Sequence, residues 1–304
     1  MKMATREAYG RKLAELVEKN KQIIVLDADL SGSTKTSLAQ KVRPEQHFNM
    51  GIAEGNMMSV AAGLAESGKT VFCSSFAMFA AGRAYEQIRN SIAYPHMNVK
   101  ICATHAGICI GEDGATHQCI EDLALMRSIP GMIVIQPCDQ YETAAVIETI
   151  ANIEHPCYVR LGRLEVDTIY DSQYQFTLGK GHILQQGSKV AVIATGLMVQ
   201  EAYKACQMID EKPTLVNMAS IKPIDEELII KLAKTHDVII TCEEHNIIGG
   251  LGSAVSEVLA KNYPCKQVMI GVQDTFGESG DPQLLLEKYK LDCKTIARVI
   301  QNEF

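Results

Sequence analysis

The sequence predicts an α/β fold built on a mostly parallel sheet, and three observations carry that expectation. Short apolar segments of strand length alternate with amphipathic segments of helix length over the first 160 or so residues. After a polar stretch without periodicity the same alternation restarts near Gly179. A glycine-rich polar loop, residues 111–118, follows one of the strands, where open parallel sheets place their ligands.

Residues 4–19 set Leu13, Leu16 and Val17 at helical spacing, and residues 22–26 form a short apolar strand. A polar turn over 27–34 follows, in which Ser31, Gly32 and Ser33 offer hydroxyls and bare backbone. Residues 47–50 read as another strand; a helix then runs over 53–66 and stops at Gly68. Strand 70–74 leads into a helix over 76–92, and strand 98–104 reaches the glycine-rich loop, after which 119–127 is helical. Strands at 133–136 and 157–161 flank a helix at 140–152. In the second half, strands are expected at 190–194, 214–217, 238–242 and 268–270, with helices at 197–209, 225–234, 250–260 and 281–303. The expected organisation is one α/β domain over 1–165, a linker over 166–178 and a smaller α/β domain over 179–304.

Composition excludes several function classes. The net charge is -7 with no basic run, so the electrostatic footprint of a nucleic-acid partner is missing. No apolar run approaches the roughly 20 residues of a spanning helix, and the charged amino terminus lacks a signal core. No membrane partner and a cytoplasmic location are expected. The 10 cysteines form no C-x-x-C pair and sit mostly in apolar segments, which predicts reduced, packing thiols and no metal site.

The loop Gly111-Glu112-Asp113-Gly114-Ala115-Thr116-His117-Gln118 places a carboxylate and an imidazole four residues apart, with His105 just upstream. A His/Asp metal set, and with it a hydrolase, competes for these residues, but their spacing fits no helical or hairpin ligand pattern. Glu54 falls in the first turn of a helix, where the dipole alone favours a carboxylate. Phe76 and Phe79, three apart, are a common core pattern. Asp29 is suited to cap a helix and Arg6 to a solvated helix face. Residues 249–252 do not complete G-x-G-x-x-G and read as a tight turn into a helix.

Taken in series, Phe48-Asn49-Met50-Gly51-Ile52-Ala53-Glu54, Ser74-Ser75-Phe76-Ala77-Met78-Phe79, Ala103-Thr104-His105 and the Gly111–Gln118 loop resemble the successive motifs of the transketolase pyrimidine-binding domain. Thr5-Arg6, Asp29 to Ser33 and Leu161-Gly162-Arg163 extend that similarity. Residues 180–304, with Ala219 to Ile224 and Gly249 to Gly252, resemble the family's carboxyl-terminal domain. The resemblance implies thiamine diphosphate as cofactor and transfer of a two-carbon ketol unit between sugar phosphates. Glu54 aligns with the glutamate that hydrogen-bonds N1′ of the aminopyrimidine and pushes the ring toward its imino tautomer. Phe76 and Phe79 align with the aromatic wall around that ring, and Asp29 with a carboxylate near the thiazolium. Arg6, Ser33 and Arg163 correspond to phosphate-binding positions, with Arg160 a competing choice for the last. Asp113 corresponds to the partner of the donor's C2 hydroxyl, His117 to a contact near C1, and His105 to a group holding substrate toward the phosphate side.

The sequence also departs from the family pattern. Gly82 stands where a third aromatic often lies, Ala53-Glu54-Gly55 replaces Arg-Glu-His, and the span from Phe79 to His105 is slightly longer. The Gly-Asp-Gly motif that holds Mg2+ and the diphosphate is not found, which implies a separate amino-terminal transketolase subunit as partner. A heterotetramer follows as the expectation, with this chain self-associating as a dimer within it. Competing expectations are a deoxyxylulose phosphate synthase-like enzyme, a 2-oxo acid dehydrogenase β-like subunit, and a non-catalytic binding subunit.

Overall fold

The computed structural model describes residues 2–304. Its strands are β1 (Lys2–Ala4), β2 (Ile23–Asp27), β3 (His47–Asn49), β4 (Thr70–Ser74), β5 (Val99–Ala103), β6 (Ile133–Ile135) and β7 (Cys157–Arg160). They continue with β8 (Glu165–Asp167), β9 (His182–Gln185), β10 (Val190–Ala194), β11 (Thr214–Asn217), β12 (Ser220–Lys222), β13 (Val238–Asn246) and β14 (Lys266–Val272). The first sheet has the order β12-β6-β7-β5-β4-β2-β3 and is parallel except for β12. The second runs β14-β13-β10-β11-β9, parallel except for β9.

Strands covered on both faces are mostly apolar, and β2, β5 and β10 are buried at every position; the exception inside β5, Lys100, is satisfied by the Ile153 and His155 carbonyls at 2.5 and 2.6 Å. On one face of the first sheet, helix Thr5–Lys19 contributes Tyr9, Leu13 and Val17, and helix Gln140–Ala151 contributes Ile147 and Ile150. Met57, Met58 and Ala61 of helix Glu54–Glu66 cover the other face. Helices Leu197–Gln207 and Cys293–Glu303 bury Met198, Val199, Ile296 and Ile300 on the second sheet. Among the described residues no helix is long and apolar enough to cross a membrane.

Several elements differ from expectation. The helix expected over 76–92 is broken into wide turns at Met78–Arg83 and Ile88–Ala93 around the short helix Tyr85–Gln87. Such π-type turns absorb an extra residue within a helix, consistent with the longer span noted in the sequence, and buried Ala80, Ala81 and Ala84 let it lie close to the core. The helix expected at 281–303 is two, Pro282–Lys288 and Cys293–Glu303. Lys290 between them has φ 60, and each helix is capped by its own aspartate, Asp281 and Asp292. The helix after the loop begins at Asp122, not 119, because Cys119 is bridged to Gly107. Helices Ser31–Thr34 and Ser37–Val42 occupy a stretch read as turn or left unassigned. The polar segment after residue 165 opens with β8, which pairs antiparallel with β1.

The halves are joined through buried polar groups. Cys109 N donates to Glu244 Oε1 at 2.7 Å, and Asn217 Nδ2 donates to both oxygens of buried Glu142 at 2.8 and 2.9 Å. Gly107 has φ +86, and a Cβ there would lie 2.3 Å from the Glu244 carboxyl group. Gly107→Ala is therefore expected to cost about 1–3 kcal/mol from the backbone alone, more with the displaced carboxylate, as a lowered denaturant midpoint.

Candidate functional site

The carboxyl ends of β2, β4 and β5 open on one edge of the first sheet, and most sequence-predicted residues gather there. Asp27, buried at the end of β2, accepts hydrogen bonds from Leu30 N, Thr34 Oγ1 and Thr36 Oγ1 at 2.5–2.9 Å. Burial pushes its carboxyl above the usual range, against the pull of these donors. The contacts fix the turn that carries Asp29 and Ser33. Asp29 is exposed, with φ 63, and does not cap the following helix. Instead it exchanges two hydrogen bonds with Asn49 at the end of β3, at 2.9 and 3.0 Å.

Glu54 lies at the start of helix Glu54–Glu66 and is only 1% exposed. Its Oε2 accepts from Arg83 Nη1 at 3.0 Å, and the same guanidinium stands 4.6 Å above the Phe79 ring. Phe79 and Phe76 are near-parallel, with ring centroids 6.2 Å apart. His117 meets Phe79 edge-on at 5.2 Å, and His105 lies 3.9 Å from Phe76. Glu54, Phe76, Phe79, His105 and His117 thus form one continuous cluster linked by Arg83. Asp113 is exposed in the loop four residues before His117.

His105 adopts φ 60, and its Nδ1 is 2.8 Å from Thr104 Oγ1. Burial, reinforced by the charges of Arg6 and Arg163, holds its pKa down at about 3. A histidine depressed this far stays neutral in the fold at any pH above about 3, while the unfolded chain takes up the proton near 6.5. Its contribution to stability is therefore lost as pH falls from 6.5 toward 3. NMR titration should find the His105 imidazole neutral at pH 5, and Arg163→Ala should raise its midpoint.

Arg6 Nη1 donates to the Ser33 carbonyl at 2.7 Å, so Ser33 holds the arginine through its backbone. Arg163 donates to the Ile110 carbonyl. Arg6, Arg163, Glu112 and Asp281 line one open cleft with room for about 430 Å³. Arg160, by contrast, is buried: its Nε reaches both oxygens of Asp122 at 2.9 and 3.0 Å, and its Nη2 donates to the carbonyls of Cys119 and Glu244.

A segment of the second half, residues 273–282, lies across the glycine-rich loop. Gln118 Nε2 donates to Ile108 O at 2.8 Å and to Glu278 O at 2.9 Å. Gly280 N donates to Gly111 O at 3.3 Å, and Ser279 sits against Gly114. Sequence reasoning missed this segment and Arg83, and it gave Asn49, though part of the Phe48–Glu54 motif, no role of its own. Only Arg83 carried a signal, four residues beyond Phe79 and so on the same helical face.

Comparison with known proteins gives the family. Residues 1–168 match the pyrimidine-binding domain of transketolase and residues 179–296 match the transketolase C-terminal domain. The chain is 52% identical to a putative transketolase C-terminal section of Methanocaldococcus jannaschii, over 98% of this chain and 95% of the relative. It is 38% identical to a 6-deoxy-6-sulfo-D-fructose transketolase subunit of Clostridium sp., covering 96% of this chain and 92% of that one. A solved structure described as a split gene transketolase, inactive beta4 tetramer, superposes with a TM-score of 0.90 at 50% identity, covering 99% and 98% of the two chains. With both domain matches in sequence order and a half-identical relative spanning nearly the same length, the chain belongs to the transketolase family.

Proposed function

We propose that this chain is the catalytic carboxyl-terminal half of a two-chain, cytoplasmic transketolase, transferring a two-carbon ketol unit between sugar phosphates. The observation that carries the reading is the buried Glu54 carboxylate joined through Arg83 to the Phe79 ring, which lies parallel to Phe76. An aminopyrimidine needs an acceptor for its ring nitrogen proton and an aromatic wall. The planar Arg83 guanidinium, lying over Phe79 and bonded to Glu54, is a flat donor using both features. The residues therefore fit thiamine diphosphate, which when bound supplies the carbon nucleophile for two-carbon transfer.

The chain's own groups would then divide the work. Glu54 holds or accepts a proton at Oε2, and the aromatic pair keeps water from it. Asp29, held by Asn49, offers a carboxylate to offset the thiazolium charge. His105, kept neutral, offers a hydrogen bond without competing with Arg6 and Arg163 for charge, and these two cations bind the substrate phosphate through forked donors. Asp113 and His117 orient the donor's hydroxyls from the glycine-rich loop. Among the described residues no group of three or more His, Cys, Asp or Glu side chains is arranged to hold a metal. In this reading the Mg2+ ligands and the diphosphate site come from an amino-terminal partner subunit, in a heterotetramer containing two copies of each chain.

The test is reconstitution with that partner, thiamine diphosphate and Mg2+, assayed for ketol transfer from xylulose 5-phosphate. Decarboxylation of pyruvate in its place would assign the chain to the deoxyxylulose phosphate synthase or 2-oxo acid dehydrogenase type. Neither activity, with no cofactor binding by calorimetry, would make it a non-catalytic subunit.

A further inference from the structure

We infer that the 273–282 segment of the second domain is a positioning strap for the substrate loop, and that it acts through Gln118. This deepens the proposed transketolase reading and rests on it. The strap grips the loop at three points that bracket Asp113 and His117. Gly280 N holds the Gly111 carbonyl, Ser279 abuts Gly114, and the Glu278 carbonyl takes a hydrogen bond from Gln118 Nε2. Inside the loop, His117 N and Gln118 N both donate to Gly114 O at 3.0 Å, so displacing Gln118 moves His117 with it.

Gln118 has little freedom. It is 3% exposed, and its Nε2 is committed to one carbonyl from each half of the chain. Turning the amide over would set its oxygen against those two carbonyls. Its Oε1 is therefore aimed at Gly277, buried and without a donor. A Cβ at position 277 would fall 2.0 Å from that oxygen. Side-chain ends usually yield at little cost; this one would have to break two buried hydrogen bonds. The strap is itself fixed, with Tyr289 Oη donating to Phe276 O at 3.0 Å and Lys288 paired to Glu278. It also walls the cleft: Gly280, Asp281 and Pro282 face Arg6 and Arg163. The second domain thus acts, through Gln118, on donor geometry.

The experiment uses the reconstituted two-chain enzyme with Gly277→Ala, Gln118→Ala and the double variant. Gly277→Ala should raise KM for the ketose donor about tenfold or more, with coenzyme affinity unchanged. In the double variant the methyl group has nothing to meet, so its KM should equal that of Gln118→Ala alone. Additive effects, or a wild-type KM in both single variants, would overturn the inference. If the wild-type pair shows no ketol transfer, the functional reading fails, and the strap is then judged in the isolated chain. There Gly277→Ala should shift the His117 imidazole resonances and speed amide exchange at 111–118; no change in either would sink it. Should Gly277→Ala misfold, Gln118→Ala carries the same readouts.

Discussion

Glu54→Gln is expected to lower ketol transfer by the reconstituted enzyme by about 10²–10⁴-fold, the range associated with loss of a positioned proton-transfer group. Glutamine keeps the volume and still accepts from Arg83, so the pocket is preserved. It lacks the negative charge, and cannot hold a proton at the ring nitrogen and release it. Little stability should be lost, because Arg83 is half exposed and can turn to water. Steady-state kinetics beside a thermal melt separates the two effects. A variant with wild-type turnover would remove Glu54 from the mechanism.

Asp122→Ala should destabilise the chain by about 3–5 kcal/mol, the cost of stranding one charge of a buried pair. Asp122 and Arg160 are 0% and 1% exposed in their side chains. Arg160 Nε shares its hydrogen bond between both carboxylate oxygens, and Tyr158 Oη donates to Oδ2 at 2.8 Å. In the native chain the Asp122 carboxylate holds the guanidinium pKa up against burial; once it is gone the cation still cannot relieve the loss by shedding its proton, because arginine is too basic to be neutralised in a protein. Its Nη2 also joins the Cys119 carbonyl, at the end of the glycine-rich loop, to that of Glu244 in the second half. The variant should therefore loosen both halves together. Denaturant unfolding checks this, and a loss below 1 kcal/mol would show that the pair does not staple them.

How far the sequence foretold this structure differs by element for physical reasons. β2, β4, β10 and the core of β13 were legible because covered parallel strands are near-continuously apolar, and β5 was legible despite the single buried Lys100 in its run. β1, β8 and β12, three residues each, owe their form to distant partners and leave no local period. The divided carboxyl-terminal helix did carry signals, Asp281-Pro282 and Asp292, which read as helix starts only once the break near Lys290 is known. At the site, Glu54, Phe76, Phe79, His105 and His117 were picked out by motif resemblance, since spacing alone favoured core or cap roles. That Arg160 is buried while Arg163 lines the cleft could not be read locally, because it depends on Asp122, a tertiary partner 38 residues from Arg160. The strap over the loop is more than 150 residues away from Gln118, beyond any local pattern.

Strand β12 has a consequence for how the chain can be divided. It leaves the second half to lie antiparallel on β6, closing one margin of the first sheet. A cut placed between the two family domains would strip that margin and bare a row of backbone donors and acceptors, the kind of edge that templates pairing with other chains. Two modules by family, the halves are stitched at that seam, and the first has no finished boundary without a strand lent by the second.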